Sequence, residues 1–331
     1  EWLNCDQCTD CFKPAFNYRP KQSAQYALAI SNFDAGKKHP QRYNFGFIAS
    51  TDDHTARPGT GYKQYERRKM TFATGVKSQI WEYQHEAEDP NFPELPKIIP
   101  GKASPDSERV SSFVYPGGIL AVHSEGRSND QIWTALKNKN VYGTSGPRIL
   151  LWFDIVNSPD GIQPMGSEIT MSQNPKFVVR AAGSFKQKEG CPAESIDSLS
   201  PERLGYLCAG ECYNPSNQRH IIDRVEIIKI TPQSYIGEAI SPLIQDSWKT
   251  FSCSGQSECF IEFEDESYSR DSVYYVRAIQ EPTLAINGQK YTVGDENFKL
   301  CKGSFRTELS DDCLGLIGER AWSSPIYLNK P

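Results

Sequence analysis

The sequence predicts two unlike halves, an α/β unit over residues 1–155 and an antiparallel β-sandwich over 156–331. Three observations carry this reading. Helix-like and strand-like segments alternate up to about residue 156, the signature of parallel βα units. Beyond about 157 only short strands separated by turns remain. Most of the cysteines, seven of ten, lie in the second half.

In the first half, KQSAQYALAISNFDA (21–35) reads as a helix. Tyr26, Ile30 and Phe33 share one face, and Gly36 stands where a C-cap belongs. A strand over Tyr43–Ser50 follows. Residues 81–118 are rich in proline and charge and suit a long loop. GGILAVH (117–123) is strand-like. In SNDQIWTALKNKN (128–140), Ser128 and Gln131 fit a capping box, while Ile132 and Leu136 share a face. VYGTSGPRILLWFDIV then returns to β. In the second half KFVVRAAGSF, RVEIIKITPQ, CFIEFED, SVYYVRAIQEP and AWSSPIYL read as strands.

Composition excludes several function classes. The net charge of −5 and the absence of any Lys/Arg run argue against a nucleic-acid footprint. No apolar stretch reaches the 18 residues or so that a membrane-spanning helix needs. Cysteines at loop ends of a β-rich region read as disulfides, hence an oxidising compartment. The candidates are Cys253 with Cys259 (CSGQSEC), Cys208 with Cys212 (CAGEC), and Cys301 with Cys313. Cys5, Cys8 and Cys11 read either as disulfide partners or as a metal or iron–sulfur site. The lone Asn-x-Ser pattern, Asn214-Pro215-Ser216, is blocked by its proline. The reading is a bacterial exported protein, periplasmic or extracellular.

The chemistry concentrates in FGFIASTDDHTARPGTG (45–61). Residues two apart in an extended chain face one side, so Asp52 and His54 point together and Asp53 points away. A carboxylate and an imidazole at a strand end suit zinc, manganese or iron. A capped turn holding a structural Asp–His hydrogen bond is the alternative. His123, ending a strand before Glu125 and Arg127, is a candidate for the same site or a rim residue. GTSGPR (143–148) offers Thr144, Ser145 and Arg148 to an anion, or forms a tight turn at a domain junction.

FGFIASTDDHTARPG, IWTALKNKNVYGTSGPRI and ERAWSSPIYL, with RLGYLCAGECYNPSNQRHIIDRVEIIKITPQ between the last two, resemble the bacterial domain-of-unknown-function 3604 family. That family is similar to the PHP (polymerase and histidinol phosphatase) metallohydrolases. The resemblance implies that 1–155 is the C-terminal portion of a distorted βα (PHP/TIM-like) barrel binding several divalent metals, with Asp52 and His54 as ligands. This chain lacks the H-x-H motif that opens such barrels. An N-terminal barrel segment, or another chain, is therefore expected to complete it. The implied function is metal-dependent hydrolysis of phosphoesters or related esters. On chemistry alone, Arg57 and Arg148 are candidates to orient a small anionic substrate. The alternative is a non-catalytic exported binding or scaffold protein with a relic barrel.

Overall fold

Alternation of buried and exposed side chains sets the strands. In β6 (Lys176–Ala182) and β11 (Glu258–Glu264) every second residue is buried, the period of a strand with one face on a core. The computed structural model describes residues 23–34, 40–51, 59–62, 118–286 and 314–331. Within them β11, β6, β3 (Leu150–Ser158) and β4 (Gly161–Pro164) form a four-stranded sheet in that order.

A larger sheet runs β1 (Ile119–Val122), β2 (Val141–Thr144), β13 (Leu314–Ser323), β12 (Ser272–Ile286), β14 (Ile326–Asn329), β5 (Glu168–Thr170). β9 (Ile222–Ile230) also pairs with β12 and carries β10 (Ile244–Ser252). β7 (Phe185–Gln187) and β8 (Pro215–Arg219) make a separate two-stranded ribbon.

The two larger sheets share one core. Phe177 stacks on Phe153 and Phe263 at 5.3 and 5.0 Å, and meets Tyr274 of the facing sheet at 4.8 Å. β9 is buried on both faces. Its Val225 and Ile227 join that core, while Ile228 and Ile230 face a second cluster with Leu28 and Ala29 of α1 (Ala24–Ala29). A charged group placed inside must be paired. Lys229 accordingly reaches Asp265, which also accepts from Tyr274, and Arg277 lies between Glu226 and Asp246.

The barrel expected for 1–155 is absent among the described residues. Every strand pair is antiparallel except β14 with β5, and no sheet closes on itself. The α/β reading failed at one connection. Between β1 and β2 lies α2 (Asn129–Lys137), with the capping box formed by Ser128 and Gln131. A βα crossover would return the chain parallel; here β2 comes back antiparallel, Ile119 opposite Thr144 and Val122 opposite Val141. Both join the sheet of β12 and β13, so the chain on either side of residue 155 builds the same layers.

Two other segments differ from expectation. The first helix covers only Ala24–Ala29 and ends where Ile30 turns extended. Tyr43–Ser50 is not a strand. Its amides are taken by side chains: Phe45 N–H donates to Tyr327 Oη (2.9 Å) and Phe47 N–H to Ser324 Oγ (2.9 Å), while Tyr327 donates back to Phe45 O (2.7 Å). α3 (Ala193–Ser198) and α4 (Pro201–Cys208) complete the four α-helices among the described residues. The 81–118 loop lies almost entirely outside them.

Candidate functional site

Where the β7–β8 ribbon meets β12 and β13, the chain leaves a cavity of about 320 Å³. The 3-10 turn Thr60–Tyr62, the loop between β2 and β3, and the ends of β8 contribute Tyr62, Arg148, Tyr213 and His220 to its wall. Phe185, Leu284 and Leu316 supply apolar surface.

Arg148 is an exposed cation beside the cavity. Its guanidinium carbon stands 3.8 Å from the centre of the Tyr213 ring, a stacking that holds the planar fork in place. Among the described residues no carboxylate forms an ion pair with it. Tyr62 packs edge-on against Tyr213 at 5.4 Å and donates to Glu211 O at 3.3 Å. Burial, reinforced by nearby Cys208 and Glu211, pushes the Tyr62 phenol up to about 12, so it stays protonated at neutral pH.

Thr144 and Ser145 have other duties than holding an anion. Thr144 is 1% exposed and its Oγ1 accepts from Gly146 N–H at 3.2 Å. Ser145 Oγ donates to Glu319 and accepts from Arg320 N–H at 2.8 Å. Both hydroxyls fasten the turn, which leaves Arg148, beside Pro147, as the charged member of GTSGPR at the cavity.

Asp52, His54 and Arg57 lie outside the described residues, but the chain on both sides of them does not. Ala49 packs on the β1–β2 pair so closely that a methyl on Gly143 would stand 2.9 Å from its Cβ. A side chain on Gly61 would strike the Gly146 backbone. The described residues on either side of the D-x-H segment thus lie against β2 at Gly143 and against the following turn at Gly146.

His123 is elsewhere. Its ring packs on Tyr142 and Trp152, and Nε2 lies 2.8 Å from Leu151 O. Burial draws its pKa down despite the Leu151 carbonyl. It lines a smaller recess with Glu125 and Asp130, apart from the Arg148 cavity.

Of the cysteine pairs, Cys253–Cys259 forms a disulfide with Cα atoms 5.4 Å apart. Cys212 does not pair with Cys208 across CAGEC; it pairs with Cys191, at a Cα separation of 4.7 Å. Cys208 is a buried thiol outside both disulfides; it donates to Leu204 O at 3.2 Å, and its sulfur lies 3.0 Å from that of Cys212. The pairing departs from expectation because α4 ends in a left-handed Ala209 followed by Gly210, which swings Cys212 towards Cys191. These three sulfurs are the one metal-sized ligand cluster among the described residues, and the disulfide occupies two of them. Cys301, Cys313 and the Cys5, Cys8, Cys11 group lie outside the described residues. No helix among the described residues is long and apolar enough to cross a membrane.

Sequence reasoning did not bring Tyr62, Tyr213 and His220 together at one cavity. They come from three distant segments, and no spacing links them.

The class defined by this geometry is a disulfide-containing, β-rich protein with an aromatic-walled, cation-bearing cavity, suited to an oxidising, non-cytosolic environment. Residues 35–189, a little under half the chain, match the family described as protein of unknown function (DUF3604). No curated protein and no solved structure matches the chain.

Proposed function

We propose that the protein hydrolyses small anionic esters, phosphoesters or related compounds, outside the cytoplasm and with the help of divalent metal. The observation that carries the proposal is the convergence at one loop. Arg148 borders the cavity; downstream of the Asp52–His54 segment Gly61 packs against Gly146 in the same turn, and upstream Ala49 packs on β2 at Gly143 just before that turn.

Each side chain has a defined task. Arg148 meets the charge of the ester, and Tyr213 keeps the guanidinium oriented. Tyr62 and Phe185 accept the body of the ligand and exclude water. Asp52 and His54 form a donor set suited to zinc, manganese or iron. Such an ion, when bound, supplies water acidified enough to attack near neutral pH. Two side chains do not complete a coordination shell, so further ligands come from outside the described residues or from another chain.

A second reading is a non-catalytic exported binding protein. The β-rich architecture, with no barrel among the described residues, favours it, because the described site has a recognising cation but no group of three acidic or imidazole donors spaced to hold a metal. Two measurements on the same protein separate the readings: turnover of a phosphomonoester, phosphodiester and carboxyl-ester panel with zinc, manganese or iron, and calorimetric binding of inorganic phosphate. Turnover abolished by chelation supports the hydrolase. Phosphate binding with no turnover of any ester gives the binding protein.

A further inference from the structure

We infer that His220, held by Glu281, is the proton donor to the departing oxygen in the reaction proposed above. The inference rests on that hydrolytic reading and extends it to a residue far along the sequence from the D-x-H segment.

His220 lines the same cavity as Arg148. It follows β8, where its N–H donates to Ser184 O at 2.8 Å. Its backbone lies so close to Gly183 that a side chain there would collide with it. The ring is fixed as firmly as the backbone. Nδ1 stands 2.9 Å from Glu281 Oε1, and the same oxygen accepts from Ile221 N–H at 3.2 Å. Glu281 N–H in turn donates to Ile221 O at 2.9 Å. An imidazole oriented by a carboxylate is the arrangement that fixes a tautomer and stabilises the imidazolium.

The protonation states follow from the surroundings. Burial works to raise the Glu281 pKa, but hydrogen bonds from His220 and Ile221 and the charge of Lys186 outweigh it, leaving the carboxyl below its usual value. An ionised carboxylate only accepts, so Nδ1 carries a proton. That leaves Nε2 as the nitrogen available to a ligand, and among the described residues it has no hydrogen-bond partner. The charged groups nearby are Glu281, Lys186 and Arg219, with Arg148 and Glu319 on the cavity wall.

The step balances without a further reactant. The oxygen of water bonds to the phosphorus or acyl carbon, and the bond to the leaving oxygen breaks with its electron pair. Nε2–H gives that oxygen its proton, and the proton released by the water restores the imidazolium.

The test uses His220→Gln in the full chain loaded with metal, on two phosphoesters. An alkyl phosphate has a poor leaving group and needs the proton; 4-nitrophenyl phosphate does not. We expect kcat on the alkyl ester to fall on the order of a hundredfold, with the alkaline limb of its pH profile lost, and kcat on the aryl ester to change little. Glu281→Gln should reproduce this in weaker form. Equal loss on both esters, or on neither, overturns the assignment while the hydrolase stands. Hydrolysis of no ester overturns the hydrolase reading itself. A readout independent of turnover is the His220 ring signal by NMR in metal-free protein. It should shift when inorganic phosphate is added, and an unmoved signal overturns the placement of Nε2 at the ligand.

Discussion

Arg148 lies 3.8 Å above the ring of Tyr213, and in the proposed function this pair is what would select an anion for the cavity. A fixed guanidinium binds a phosphate or carboxylate through charge-assisted hydrogen bonds worth about 1.5–3 kcal/mol. Arg148→Met should therefore weaken binding of inorganic phosphate by about ten- to a hundredfold. Tyr213→Leu removes only the stacking, and the loss should be about two- to fivefold. Titration calorimetry checks both. Unchanged affinity in Arg148→Met would remove the anion from this cavity.

Arg270 grips Glu238 with both ends of its guanidinium, at 2.6 and 2.9 Å. That hydrogen-bonded pair holds the Glu238 pKa down at about 2 against an ordinary 4.5. A depressed carboxyl adds stability above its unfolded value, and that stability is lost as pH falls from about 4.5 towards 2. Denaturant midpoints measured from pH 6 to pH 2.5 should fall steeply in the wild type. Glu238→Gln, less stable at pH 6, should show a shallower fall. Parallel curves would show that the pair does not contribute to acid stability.

Lys229 is buried against Asp265, itself 0% exposed, and Tyr274 Oη donates to the same carboxylate. Burial works to raise the Asp265 pKa, but these donors and Ser267 hold it below its usual value. Lys229→Met leaves that charge without its counterion and should cost about 3–5 kcal/mol. Replacing both partners, Lys229→Met with Asp265→Asn, should recover part of the loss. Urea unfolding of the three proteins decides it, and a single mutant within about 1 kcal/mol of wild type would contradict the account.

The Cys253–Cys259 bridge closes a loop of six residues between β10 and β11. By loop entropy alone its removal as Cys253→Ser with Cys259→Ser should cost about 2 kcal/mol. Peptide mapping without reduction should recover Cys253 joined to Cys259 and Cys191 joined to Cys212, with Cys208 alkylated only after unfolding. Recovery of Cys208 joined to Cys212 would contradict the pairing.

What the sequence disclosed was local. The Ser128 and Gln131 capping box sits within one turn, so its pattern is complete in four residues. β6 and β11 announce themselves by alternation. Strand direction is not local. GILAV and VYGT flank a helix, and that pattern is the same whether the second strand returns parallel or, as here, antiparallel. Residues 43–50 look like a strand because most are apolar, but Tyr327 and Ser324, 282 and 277 positions away, take the amides of Phe45 and Phe47. The cavity was invisible for the same reason. Arg148 was legible from its loop chemistry, whereas Tyr62, Tyr213 and the His220–Glu281 pair acquire meaning only once β7, β8 and β12 are assembled.

In the proposed hydrolase, Asp52 and His54 bring metal to the ester recognised beside Arg148. The most direct measurement is metal-dependent turnover of a phosphoester by wild type, His54→Ala and Asp53→Ala, with bound metal quantified in each. Loss of both metal and turnover in His54→Ala, with both largely kept in Asp53→Ala, is the predicted result. Full metal occupancy and full turnover in His54→Ala would contradict it.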